Sequence, residues 1–229
     1  MNQSFLEKLD AVIGRHALLN HPFYQTWSEG TLSTTALREY TKQYHHFVQA
    51  FPTYVSATHA NTPDLPTRQI LLENLIEEER GDGNHPGLWR KFAEAQGISD
   101  AEMHSTSPFP ETEAALATMK FLTKEHPYLD GVAALYAYES QIPKVANVKI
   151  DGLRRFYGVQ NEDGLSFFTV HAVADIHHSN DERGILERNA RTIEDQERCL
   201  NAAELSCKAM LQLLDGVYLR FVKPAAVMN

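Results

Sequence analysis

The run HAVADIHHSND, residues 171–181, places histidine and aspartate at helical spacing inside an otherwise apolar stretch. At roughly 100° per residue, positions i, i+4 and i+7 fall within a narrow arc, so His171, Asp175 and His178 project from one side of a helix. Leu165, Phe168, Ala172 and Ile176 lie on or beside the same face, so that side borders a core, whereas His177 points toward solvent. The polar edge of an amphipathic helix accounts for one such histidine. Three ligand-type side chains on one inward face point to a coordinated cation.

Glu139 is the sole charged residue in GVAALYAYESQIP, between Asp130 and Lys144, and is therefore expected to be buried. An unpaired carboxylate there costs several kcal/mol, so it must be protonated, face a cation or be fully hydrogen-bonded. An arginine elsewhere is the plain alternative. In IEEERGDGNH three glutamates crowd a helix C-terminus, against the macrodipole. Glu77 and Glu79 read as a solvated face, while Glu78 falls on the inward stripe of Leu71, Asn74 and Leu75. His85 opens the next helix beyond the turn.

Glu78, His85, Glu139, His171, Asp175 and His178 make six candidate ligands from three helical regions, the number two metal ions would use. Three carboxylates able to bridge and three imidazoles suit iron or manganese rather than a closed thiolate zinc site. Helix bundles host such dinuclear carboxylate sites, although the Glu-x-x-His spacing common there is absent.

Helical periodicity runs through almost the whole chain and alternating strand patterns are absent, which predicts an all-α bundle of seven or eight helices over one domain, residues 1–229. The expected helices begin near Ser4, Ser33, Pro66, His85, Glu111, Gly131, Asp163 and Thr192. NHPFYQTWSEG reads as an irregular or short helical connection, and Ser99 to Pro110 as a link with one weak turn. Pro52 and Pro143 are expected to bend their helices, because proline lacks the N–H and crowds the preceding turn.

A formal charge of -9 over 229 residues disfavours nucleic acid or an anionic membrane as partner. Cys199 and Cys207 lie eight apart on one helix, so a bridge would span about 12 Å of helix axis. With no signal-like start or membrane-length apolar run, a reducing, cytoplasmic setting is expected. Symmetric pairs being the commonest assemblies, a homodimer is the expected state.

The segments HPFYQTWSEG, AFPTYVSATH, ILLENLIEEER, NHPGLW, GVAALYAYESQIP, KIDGL and HAVADIHH, in this order, resemble the chlamydial protein associating with death domains and its bacterial relatives. That group belongs to the heme-oxygenase-like dimetal oxidases, near the pyrroloquinoline quinone synthase and thiaminase II folds. The likeness covers roughly the first 180 residues. It implies the same six metal ligands. It further implies synthesis of para-aminobenzoate for folate, using dioxygen, an external reductant and two ions of iron, manganese or both. Within the resemblance Tyr24 is the sacrificed source of the ring, Lys149 a candidate amino donor, and Tyr138 and Tyr40 candidate relays of oxidising equivalents. Without it, Lys149 reads as a solvated lysine and both tyrosines as core packing.

Two other readings are open at this level. A metal-free thiaminase or quinone-synthase relative would act on an external small molecule, but thiaminase II chemistry needs a pocket cysteine, and both cysteines here lie on the last helix. An interaction module is suggested by the name of the chlamydial relative, although no feature of the sequence identifies a protein partner.

Overall fold

The computed structural model describes residues 4–223, in which eleven α-helices and no strands are found. α1 (Phe5–Arg15) begins with a reciprocal cap, the Ser4 hydroxyl accepting from the Glu7 amide while the Glu7 carboxylate accepts from the Ser4 amide. α2 (Pro22–Glu29) starts on Pro22 behind a His21 ring that accepts from the Phe23 amide. α3 (Thr34–Asn61) is capped by Ser33 and α4 (Leu65–Glu79) by Asp64. α5 (His85–Ala95), α6 (Asp100–Ser105) and α7 (Pro110–Lys120) follow, and a wide turn at Phe121–Glu125 leads to α8 (Tyr128–Glu139). α9 (Ile142–Arg155), α10 (Glu162–Asn189) and α11 (Ile193–Phe221) complete the described chain.

The excess over the expected seven or eight helices has local causes. The aromatic connection is a true helix, α2, and the link after Ser99 holds a capped helix of six residues, α6. The apolar helix expected to bend at Pro143 instead breaks at Ser140–Gln141, because Pro143 sits in the first turn of a new helix, where its missing N–H has no partner to lose. Pro52, by contrast, lies inside α3 without ending it. The cap of α10 is Asn161, two residues before the expected Asp163.

α3 runs through the centre, packed by α4, α5, α7, α8 and α11, while α10 lies on α5, α8 and α9. The core is one continuous cluster that includes Phe23, Trp27, Tyr40, Phe47, Trp89, Phe92 and Phe168. No helix of the described residues is long and apolar enough to cross a membrane. Cys199 and Cys207 are free and buried in α11, and burial pushes both thiols up to about 12.

Two local devices position the site. Gly81, at φ +67°, lets the chain reverse after α4, and the Asn84 side chain then caps α5 by accepting from the Gly87 amide. This turn brings His85 back beside Glu78. On the other side, α2 closes on α9 at Gly152, where a Cβ would lie 2.5 Å from Nε1 of the fully buried Trp27. Gly152→Val should therefore destabilise by about 1–3 kcal/mol, seen as a lower midpoint in thermal denaturation. An unchanged midpoint would contradict so close an approach.

Candidate metal centre

The six ligand-type residues converge as two buried triads. Glu78, His85 and His171 form one, and Glu139, Asp175 and His178 the other; within each, one potential ligand atom per residue lies within 4.8 Å of the others. α4 supplies Glu78, α5 His85, α8 Glu139, and α10 the remaining three. All six are at most 6% exposed. Ile176 departs from its expected place near this face: one residue past Asp175 it is turned by about 100° and is 47% exposed.

The imidazoles are oriented from behind. His171 Nδ1 donates to the Phe167 carbonyl at 2.7 Å, because a carbonyl can only accept, and this leaves Nε2 with its lone pair free. Burial and the neighbouring His85 also hold His171 well below the usual histidine range. His178 turns Nδ1 toward the centre, 3.3 Å from Glu139 Oε1 and 3.5 Å from Asp175 Oδ1, while Nε2 meets Glu77 Oε2 at 3.1 Å. Glu77, read from sequence as part of a solvated face, is thus half out of the site and half in its service. His85 Nδ1 lies 2.7 Å from Glu78 Oε1, and the His85 and His171 ring centroids are 4.2 Å apart.

Glu139 has no arginine partner: Asn74 donates to its Oε1 at 3.0 Å, and its Oε2 is buried without a hydrogen bond. Asp175 Oδ2 and both oxygens of Glu182 are likewise buried without a hydrogen bond, and His85 Nδ1 and His178 Nδ1, although close to carboxylate oxygens, are not aligned to make one. Burial and the charges of Glu139 and Glu78 push Asp175 up to about 7. Burial, opposed by His85, also raises Glu78. For His178, burial opposes the charged form, but hydrogen bonding and charge from Asp175 and Glu139 prevail and hold it up at about 11. Buried oxygen and nitrogen donors with open valences, facing one another from four helices, fit cations of the iron and manganese type.

Beside the triads lies a dry aromatic chamber. Lys149, expected from its residue type to be solvated, is 2% exposed. Its Nζ lies 5.5, 5.1 and 4.8 Å from the ring centroids of Tyr24, Tyr40 and Tyr44, and donates to the Tyr40 hydroxyl at 2.5 Å. Burial alone brings the Lys149 amine down to about 7 and holds Tyr24 above the usual phenol range. Tyr40 stacks near Tyr44, centroids 5.3 Å apart, and the Tyr44 hydroxyl meets that of Tyr138 at 2.5 Å. Tyr138 in turn lines the small cavity that Glu78, His85, His171 and Asp175 share with Phe47, Phe51 and Phe167. Tyr24 and Tyr40 both face Lys149 Nζ, and from Tyr40 the series continues through Tyr44 and Tyr138 to the metal-type cluster.

Sequence reasoning did not single out Tyr44, Glu77 as a partner of His178, or Glu182. Tyr44 stands four residues after Tyr40 and Glu182 four after His178, so helical spacing held the signal in both cases.

Residues 38–210 match a family of iron-containing redox enzymes. The chain belongs to this family. It is 45% identical over 224 residues to the 4-aminobenzoate synthase of Nitrosomonas europaea, an alignment covering 94% of this chain and 91% of that protein. It is 39% identical to the protein of the same name from Chlamydia muridarum, covering 98% and 93%. In structure it is similar to a TenA homologue from Pseudomonas syringae pv. tomato, with a TM-score of 0.79 at 18% identity, covering 94% and 91%. The fold is heme-oxygenase-like and all-α.

The chamber yields a pH test. An amine with a folded pKa near 7 against 10.5 ordinarily binds fewer protons folded than unfolded between those values, so its burial penalty is full below pH 7 and fades as pH rises toward 10.5. In metal-free protein Lys149→Met should stabilise by about 2–4 kcal/mol at pH 6 and clearly less at pH 9, read by denaturant or thermal unfolding at both. An equal effect at the two pH values would contradict a lysine buried in this way.

Proposed function

We propose that this protein is an oxygen-dependent dimetal oxidase that forms 4-aminobenzoate from its own Tyr24, with Lys149 as the amino donor. The observation that carries the reading is the shared chamber: Tyr24 and Lys149 face each other out of water, and a tyrosine series connects them to two ligand triads. The names of the relatives at 39% and 45% identity support the product. The family's description supports a redox enzyme.

Glu78, His85 and His171 would hold one ion, and Glu139, Asp175 and His178 the other. Loaded with iron, manganese or one of each, and supplied with an external reductant, the pair would provide dioxygen activation and the oxidising equivalents. The chain's own residues do the rest. Tyr44 and Tyr138, joined through their hydroxyls, offer an aromatic route from the centre toward Tyr40 and Tyr24.

Tyr24 stays protonated at neutral pH, so removing an electron from its ring requires removing the phenolic proton as well. Tyr40 lies beside it and is hydrogen-bonded to Lys149, which provides a local path for that proton. Near pH 7 a large share of Lys149 is neutral and carries the lone pair that would form the ring C–N bond; the phenolic oxygen would leave as water, and release of the product would break the Lys149 Nζ–Cε bond, Cε ending as an aldehyde as it returns two electrons to the oxidised ring. Excluding water protects an oxidised ring from hydrolysis; the Cα–Cβ bond of Tyr24 would break and Cβ would become the carboxylate, with dioxygen as the oxidant and the source of its oxygen. A thiaminase-type alternative finds no thiol here, since both cysteines are buried on α11 with raised pKa values.

Self-sacrifice limits each chain to about one product. Metal-loaded protein, reduced and exposed to oxygen, should yield aminobenzoate with matching loss of the intact Tyr24 peptide in mass spectrometry. Tyr24→Phe and Lys149→Met should reduce product by about 100-fold or more, the range for loss of a reacting group. Aminobenzoate released while Tyr24 remains unaltered would overturn the reading.

A further inference from the structure

Glu182 is buried in α10 at 1% exposure, and neither of its carboxylate oxygens has a hydrogen-bond donor. It stands four residues beyond His178 and seven beyond Asp175, which continues their inward stripe by one further turn. Beside it is another carboxyl group, that of Glu139; burial, with the negative charge and hydrogen bonding of Glu139, holds Glu182 well above the usual carboxyl range. On its other side Glu139 is held by the Asn74 amide. Among the described residues no lysine or arginine pairs with Glu78, Glu139, Asp175 or Glu182; the ion-pair contacts of the first three are with histidines alone. With no cation present a proton relieves such a pair, and both carboxylates can be charged together only where positive charge is supplied nearby.

The charge of the proposed centre identifies that supply. The two triads contain three carboxylates, and as ligands their imidazoles are neutral. Two divalent cations would leave one positive charge uncompensated in a dry interior. Glu182 is the fourth buried carboxylate, and its negative charge closes the difference.

Resting on the dimetal reading, we propose that Glu182 is a positioning residue of the second cation site, a fourth carboxylate that completes the charge of the ion pair and holds Glu139 toward its ion. It acts through Glu139 and through the field at the site, because it lies outside the 4.8 Å triad. A structural glutamate would be expected to have a donor of its own.

The test is Mn(II) titration of metal-stripped full-length protein, wild type beside Glu182→Gln and Glu182→Asp, with electron paramagnetic resonance to separate coupled from isolated ions. Wild type should take two Mn(II) and show the spectrum of a coupled pair. Glu182→Gln, which keeps the shape and removes the charge, should bind the first Mn(II) normally and the second about 10–100-fold more weakly, with an isolated-ion spectrum, the loss typical of a support removed from behind a ligand. Glu182→Asp, which keeps the charge, should recover most of the second affinity. Two ions bound to Glu182→Gln with wild-type affinity and coupling would overturn this inference alone. Failure of the wild type to bind a second Mn(II) would overturn the dimetal reading, and this inference with it.

Discussion

Four carboxyl groups enclosed by helices would repel one another if all were charged, and the metal-type cluster is arranged around that constraint. Glu78, Glu139, Asp175 and Glu182 are each at most 2% exposed, with imidazoles and one amide as neighbours but no guanidinium or ammonium. Buried carboxylates ordinarily find a cationic side chain or a full set of donors. Here protons and the charge on His178 bear the load in the metal-free protein, which is why Asp175 and Glu78 are raised and His178 is held charged. Cations between the triads would relieve both strains together.

The helices make this arrangement rigid. α10 contributes three residues of the cluster and the supporting Glu182 from one stripe, so their relative places are set by helix geometry alone. Glu78 and His85 come from the two sides of one tight turn, fixed by Gly81 and the Asn84 cap. Glu139 ends α8, just where the chain breaks before Pro143. The same break frees α9 to carry Lys149 into the aromatic chamber against α2 and α3, at the distance that Gly152 permits. The metal-type cluster and the aromatic chamber are therefore set by adjoining pieces of the same packing.

Much of this was legible in the sequence, for identifiable reasons. His171, Asp175 and His178 announce themselves because helical spacing is regular, and Glu139 because charge is rare in an apolar run. Their convergence with Glu78 and His85 could be expected but not seen, since tertiary packing of four helices decides it. Lys149 misleads, because a lysine is ordinarily solvated and only the surrounding Tyr24, Tyr40, Tyr44 and Phe168 rings reveal its burial. Glu77 misleads in the opposite way: it is solvent-exposed, yet its carboxylate reaches His178. The division between α8 and α9 was obscured because Pro143 is compatible with both a bent helix and a new first turn. Glu182 sits among SNDERGIL, where flanking charges hide a buried acid from any composition argument.

For this chemistry each of the two triads must hold a cation. Anomalous diffraction at the iron and manganese edges from crystals of metal-loaded protein measures this directly. Two peaks about 3.5–4 Å apart, one beside Glu78, His85 and His171 and the other beside Glu139, Asp175 and His178, are predicted. No peak there, with the six side chains ordered as described, would contradict it.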